Sequence, residues 1–523
     1  MATVLESAPR QAATEQAIPS PSFAPGLTSI YFLLELINIL RHGMWRDEIQ
    51  TWSLSLRSQS VAEFLSLKRY ADLGHPDAWH LLVYGVSRLT SNPLAMQLLH
   101  LVIATTTAYV VAHYSPFPRI QKVLIVFSYF LFYEYAAISR NYAIGILSIF
   151  VFCAVFRPGA KKNYLLLGIL LALMAQSNLQ ALMLGLAFSV AILFEGVRAP
   201  SPRQFFFASA GQMGFAAVLF LGAIVVSVVR MQPPADAEFY PGWHLGLDPT
   251  SIGRTLAMMW KAFVPIPELS RQFWNTNIVP IPPVVAVLSI FVLGVSLLFF
   301  LHKPVALVAY AAGLGAMLLF RQVKYAGYLR HDGHSFILFL ACLWIASYYP
   351  LEKFPLAWLD KWADWFEPHQ RSVFVGVLAA QVIAAVIASS IAFEVPFSEA
   401  RNTAEFLKAQ HMEKMFIVGD TDAPLATLAG YLNRDIYYPR GDRMGTYVVW
   451  DTQRVNGTKE PVVNIGREKA VDLQQDVLVI LNYPSTVTGV DVRQVACFKG
   501  SIVHSEDYYL YRVSYGQSAN GNR

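Results

Sequence analysis

The chain has 523 residues, of which 55% are hydrophobic and 14% charged, with a formal net charge of +5. Its apolar residues fall in blocks longer than the elements of a soluble core, so the sequence describes a polytopic α-helical membrane protein and excludes a soluble globular one. Lys and Arg stand singly between these blocks instead of lining one face, which excludes nucleic acid as a partner. Three isolated cysteines, Cys153, Cys342 and Cys497, offer neither a disulfide framework nor a CxxC metal site.

Residues 1–24 are rich in Ala, Pro, Ser and Gln and lack a signal-cleavage pattern, so they read as a disordered cytoplasmic tail before a retained first helix at 27–40. The segment GMWRDEIQTW, 43–52, then sets Arg46 beside Asp47 and Glu48 about one turn past that helix, at the water boundary. Helix neighbours point about 100° apart, so the two acids cannot address one atom in the same way. One is expected to be the reactive group and the other its orienter; a solvated acid pair marking a helix end is the plainer alternative. LGHPDAWH, 73–80, brings His75 and His80 into the same loop. With Asp47 and Glu48, His75 leaves open a divalent cation, Mg or Mn. The stretch 76–89 is too short to cross, against the roughly twenty residues needed, and reads as an interfacial helix on the outer side.

Further spans are expected at 94–113, 123–138, 142–156, 163–177, 179–197, 204–229, 279–301, 304–320, 335–350 and 372–394, about eleven in all with the first. With residue 1 cytoplasmic, every short inside loop carries Lys or Arg, as the positive-inside rule requires. The chemistry then collects outside. FYEYAAISRNY, 132–142, delivers Glu134, Arg140 and Tyr142, and Glu134 lies inside an apolar block, where it is costly unless paired or functional. RQVKYAGYLRHDGH, 321–334, gathers Lys324, Tyr325, Arg330 and His331 where the charge rule predicts few cations. Such cations suit a phosphate, or else membrane-lipid headgroups. Trp45, Trp52, Trp79, Trp243 and Trp274 are candidates either for stacking on sugars or for anchoring at the interface.

After residue 393 the pattern changes to short β-rich runs at 415–419, 476–482 and 508–513 with a helical stretch at 423–432. This predicts a membrane domain over 25–396 and a soluble α/β domain over 397–523. Within it, 430–451 reads either as an acceptor-binding segment or as a packed hairpin, and Asn456-Gly457-Thr458 is a glycosylation sequon.

The acid pair Asp47-Glu48, the Gly74-His75-Pro76 motif opening an interfacial helix, the Ser139–Tyr142 turn, the late Leu329–His331 segment and the soluble outer domain together resemble the GT-C membrane glycosyltransferases. Among these the chain is similar to aminoarabinose transferases and protein O-mannosyltransferases. The resemblance implies a bacterial inner-membrane enzyme with its C-terminal domain in the periplasm. It would move a sugar from a polyprenyl-phosphate donor to the hydroxyl of a glycan, lipid or protein acceptor, with inversion and with Asp47 as general base. Arg46, His75, His80, Glu134, Arg140, Tyr142, Lys324, Tyr325, Arg330 and His331 would then bind substrate. Two departures stand out. The second outer loop has no aspartate where several relatives carry one, and the WWD motif of oligosaccharyltransferases is missing. The rival readings are a transporter or flippase of a lipid-linked sugar and a membrane-anchored scaffold. Ionisable groups gathered at one face favour the transferase over a transporter, whose polar groups sit near the midplane.

Overall fold

The computed structural model describes residues 22–159, 162–238, 246, 251–454 and 460–518, so the tail over 1–21, Trp243 and the sequon lie outside the described residues. Helix α1 (Phe23–Arg41) is followed by three short helices, α2 (Arg46–Arg57), α3 (Val61–Ala71) and α4 (Ala78–Ser87), and then by α5 (Leu94–Tyr114). Helix α6 (Arg119–Val126) gives way to a π-helical turn (Tyr129–Glu134), and α7 (Tyr142–Val155), α8 (Tyr164–Ser177) and α9 (Leu179–Arg198) follow through short connections. Helices α10 (Pro202–Phe207), α11 (Ala210–Met231), α12 (Ile252–Phe263), α13 (Pro282–Leu298), α14 (Pro304–Val323), α15 (Leu329–Ala346), α16 (Ala357–Phe366) and α17 (Gln370–Glu394) complete the bundle.

The expected apolar blocks are helical except where 123–138 is broken, but the count of spans is coarser than expected. Among the described residues, 6 stretches are long and apolar enough to cross a membrane: α1, α5, α9, α11, α14 and the run from α16 through α17. Helices α7, α8 and α13 are apolar but shorter. The block at 123–138 is broken, because α6 ends at Val126 and the chain re-enters as the π turn that buries Tyr129, Tyr133 and Glu134. Helix α4, at 10 residues, is too short to cross, in keeping with an interfacial segment. Helices α8 and α11 close tightly at Gly168, where an added Cβ would fall 2.7 Å from that of Ala216. Small residues allow such approaches between membrane helices.

Helix α16 lies in what reads as a basic inside loop. It buries Ala363 and Phe366 and exposes Trp358, Trp362 and Trp365, a stripe at i, i+4 and i+7. That face suits a helix lying in the interface.

The C-terminal domain opens with α18 (Ala400–Ala409), β1 (Phe416–Gly419) and α19 (Asp422–Leu432), continues with β2 (Ile436–Tyr438), β3 (Arg443–Gly445) and α20 (Val462–Leu473), and closes with β4 (Val477–Leu481), β5 (Val492–Phe498) and β6 (Tyr508–Val513). The sheet order is β3-β2-β1-β4-β6-β5, with β1 parallel to β2 and β4 and the other pairs antiparallel. The inner strands β1 and β4 read as unbroken apolar runs because helices cover both faces. The hairpin reading of 430–451 is realised by β2 and β3, whose turn uses positive φ at Gly441 (89°) and Asp442 (46°).

The domain rests on the short helices after α1, with α19 against α2. A Cβ on Gly430 of α19 would lie 2.5 Å from Ile49 Cγ1 and 2.8 Å from Ser53 Oγ of α2. Gly430→Val is therefore expected to force the helices apart at a cost of roughly 1–3 kcal/mol. A lower melting temperature for the purified protein checks this, and an unchanged one contradicts it.

Candidate active site

The site forms where α1 ends. The chain turns through His42–Trp45 into α2, and Glu48, third in that helix, starts it by accepting the Trp45 amide at 3.2 Å. An acid in the first turn also complements the helix dipole. Glu48 is fully buried: its Oε2 meets His42 Nε2 at 2.7 Å, and its Oε1 accepts the Ser139 amide at 2.7 Å. The carboxylate thus ties α2 to the turn before α7. Asp47 points elsewhere, as the 100° rule requires. Its side chain is 26% exposed and its Oδ2 lies 3.6 Å from an Arg330 nitrogen, while Oδ1 lies 3.5 Å from Arg46 Nε.

Arg330, second residue of α15, stands among aromatic rings, with the centroids of Trp45, Trp274 and Tyr328 at 5.6, 5.5 and 4.9 Å from its guanidinium carbon. Glu134 lies in its field and is held by Tyr129 Oη at 3.0 Å and Trp274 Nε1 at 3.1 Å. The buried glutamate that needed a partner therefore has two donors and a nearby cation. Tyr135 Oη donates to the Arg330 carbonyl at 2.6 Å and fixes the start of α15. His331 Nδ1 accepts the Tyr328 amide at 2.8 Å, so its proton sits on Nε2 and is donated to Tyr142 Oη at 3.1 Å.

Arg140 donates to the main-chain carbonyl of Asp47, lies 3.5 Å from Asp72, and contacts His75 Nε2 at 3.0 Å. Asn141 Nδ2 meets His75 Nδ1 at 3.2 Å. Burial pushes His75 down to about 3 against the pull of Asp72, so the ring is neutral. Burial works against ionisation of Asp72, yet Arg140, His75 and His80 hold its carboxyl well below the usual range. In a second set, buried Asp77 takes buried Lys68 at 2.9 Å and half-buried Arg230 at 2.7 Å.

The structure therefore gathers Arg46, Asp47, Glu48, Glu134, Arg140, Tyr142, Arg330 and His331, with His75 behind Arg140. His80 lies deeper: it is buried, with Nε2 on Asp72 at 2.8 Å and Nδ1 on the Pro76 carbonyl at 3.1 Å, so both ring nitrogens are engaged within the protein. Lys324 caps the C-terminal end of α14, and half-exposed Tyr325 sets its ring 5.6 Å from that of His331. Beside them lies a small cleft lined by Met183, Met258, Met317, Tyr325 and the Arg321–Asp332 ion pair. Sequence reasoning passed over Asp72, which stands immediately before LGHP; the signal was that a buried arginine such as Arg140 needs a carboxylate. It also passed over Asn141 and Tyr135, which carry no charge.

The donor set does not fit a divalent cation at Asp47, Glu48 and His75, since both oxygens of Glu48 and both nitrogens of His75 already have partners. Among the described residues, the group spaced to hold a metal is His302, Asp364 and Glu367, in the loop after α13 and at the end of α16.

No protein-family model and no curated protein matches this chain. Among solved structures it is similar to ArnT from Cupriavidus metallidurans bound to undecaprenyl phosphate, at 9% identity and a TM-score of 0.48, over 93% of this chain and 97% of that one. It is also similar to the apo state of the same protein, at 12% identity and 0.49, over 94% and 99%. The likeness runs along almost the whole of both chains.

Proposed function

We propose that this membrane protein is an inverting glycosyltransferase that takes a sugar from a polyprenyl-phosphate donor and passes it to an acceptor hydroxyl on the extracytoplasmic side. The observation that carries the reading is the exposure of one acid. Of Asp47, Glu48, Asp72 and Glu134, Asp47 keeps the most accessible side chain, 26% exposed, and it faces a guanidinium. An ionised carboxylate at the mouth of a cationic site can take a proton; a buried one with every oxygen engaged serves to position.

In this mechanism Asp47 removes the proton of the acceptor hydroxyl as its oxygen attacks the anomeric carbon. The bond from that carbon to the phosphate oxygen breaks on the opposite face, its electron pair leaves with polyprenyl phosphate, and the configuration inverts. Arg330 holds the phosphate and offsets the charge that grows on it, with Tyr142 beside it. Tyr142 can donate its own proton to a phosphate oxygen because its hydroxyl oxygen already accepts from His331. Trp274 and Trp45 flank the position of the sugar.

Incubation of the purified protein with a panel of polyprenyl-phosphate sugars and acceptors tests this. A rise in melting temperature with donor and release of polyprenyl phosphate with acceptor are expected. Movement of intact donor across vesicles without transfer would instead establish a flippase. Because the donor set around Asp47 is already engaged, chelation with EDTA is expected to leave the transfer rate unchanged. A loss of rate restored by Mg or Mn would overturn that part.

A further inference from the structure

We infer that the C-terminal domain is a working part of the transfer site, and that Glu506 is a positioning residue that sets Asp47 by holding the first amide of α2. The inference rests on the reading of Asp47 as the base. Along the stretch from the end of α1 into α2, the main chain is gripped from the C-terminal domain. Arg401 donates to the carbonyls of Leu40 at 2.8 Å and His42 at 2.7 Å, the terminal acceptors that α1 leaves unpaired. Tyr431 Oη accepts the Met44 amide at 2.9 Å. Glu506 Oε1 accepts the Arg46 amide at 2.8 Å. Gln50 and Val448 exchange two hydrogen bonds, at 3.0 and 2.7 Å. At Gly43 the approach is so close that a Cβ would fall 2.8 Å from the Ser398 carbonyl oxygen.

Glu506 differs from the other ties because it places an acid, fully buried, at the N-terminal end of the helix whose second residue is Asp47. Burying a carboxyl is costly, and an alcohol or amide would satisfy one amide more cheaply. What the carboxyl adds is a charge-assisted hydrogen bond along the dipole of α2. The groups facing it are Arg46 from α2, Ser398 from the segment before α18, Thr427 from α19 and Tyr508 from β6, with Glu399 and Asp507 nearby. Burial raises the Glu506 carboxyl to about 7, against the help of those hydrogen bonds and of Arg46. Its charge therefore changes near neutral pH, and with it the grip on the Arg46 amide.

The sign for stability is opposite to the sign for activity. A folded-state pKa above the unfolded one means that the stabilising contribution is full below the unfolded value and is lost as pH rises through about 7. Glu506→Gln, which keeps an acceptor for Arg46, is expected to melt higher than the parent protein at pH 8. The same variant is expected to turn over several-fold more slowly at pH 8, with little change in the donor KM and with the inflection near 7 gone from the kcat profile. A residue with only a structural role would lose stability and activity together. Amide exchange in the full-length protein reads the same contact without any substrate. In Glu506→Ala, residues 46–50 are expected to exchange at least roughly tenfold faster. A Glu506→Gln profile that keeps the inflection, or unaltered exchange in Glu506→Ala, would overturn the inference. A parent protein without transfer activity would overturn the reading of Asp47 instead, and the exchange result would still decide whether the contact holds α2.

Discussion

Asp47→Asn is expected to abolish sugar transfer while leaving donor binding intact. Loss of a positioned base typically costs about 10²–10⁴ in rate. The amide keeps the size of the side chain but cannot take a proton, so the acceptor oxygen must attack unassisted. The surrounding frame does not depend on the Asp47 carboxylate. Arg140 holds its main-chain carbonyl, Glu506 holds the preceding amide, and Glu48 fastens the next residue to Ser139. Arg330 keeps its three rings and Glu134. With the charge of Asp47 gone, the guanidinium is less neutralised, so the donor phosphate should bind as well as before or better. Glu48→Gln is predicted to behave differently: its carboxylate is buried against His42, Trp45 and Ser139. A lowered melting temperature is expected there ahead of any selective effect on kcat. An Asp47→Asn enzyme with the parent rate would remove the base assignment outright.

The contrast between these two neighbours shows what the sequence could and could not convey. Adjacent helical positions diverge, so spacing alone implied that the two carboxylates face different surroundings. Which of them is buried depends on His42, Trp45 and Ser139, and the last lies 91 positions away. Cations at 324 and 330, on a face expected to carry few, suggested an anion site or a headgroup patch, because the charge rule is a property of loops. The rings around Arg330 come from residues 45, 274 and 328, and no local pattern joins them. That Asp72 takes Nε2 of His80 is a contact that no charge or spacing rule in the sequence announces. The strands of the C-terminal domain were visible as apolar runs, whereas its grip on α2 rests on contacts between residues hundreds of positions apart, such as Arg46 with Glu506. The helix at 357–366 was legible in its tryptophan stripe, had periodicity been weighed above the loop's charge.

Arg330→Met is expected to lower kcat by about 10²–10³, the usual cost of removing a donor aimed at developing charge. Arg330→Lys should recover only part of that loss. The site suits a flat cation: the guanidinium carbon is 4.9–5.6 Å from three ring centroids, and its nitrogens are shared between Asp47 and the space where phosphate would sit. An ammonium is a compact, strongly hydrated point charge that can attract the phosphate but cannot present two parallel donors while resting on aromatic faces. Because the phosphate carries charge before and after the bond breaks, the same substitution should also weaken product inhibition by polyprenyl phosphate. Steady-state rates against donor, with polyprenyl phosphate as inhibitor, separate the possibilities. Full activity in Arg330→Lys would mean that charge alone suffices and that the ring geometry is incidental. Unaltered product inhibition in Arg330→Met would move the phosphate away from this position, and with it the trajectory that brings the anomeric carbon opposite Asp47.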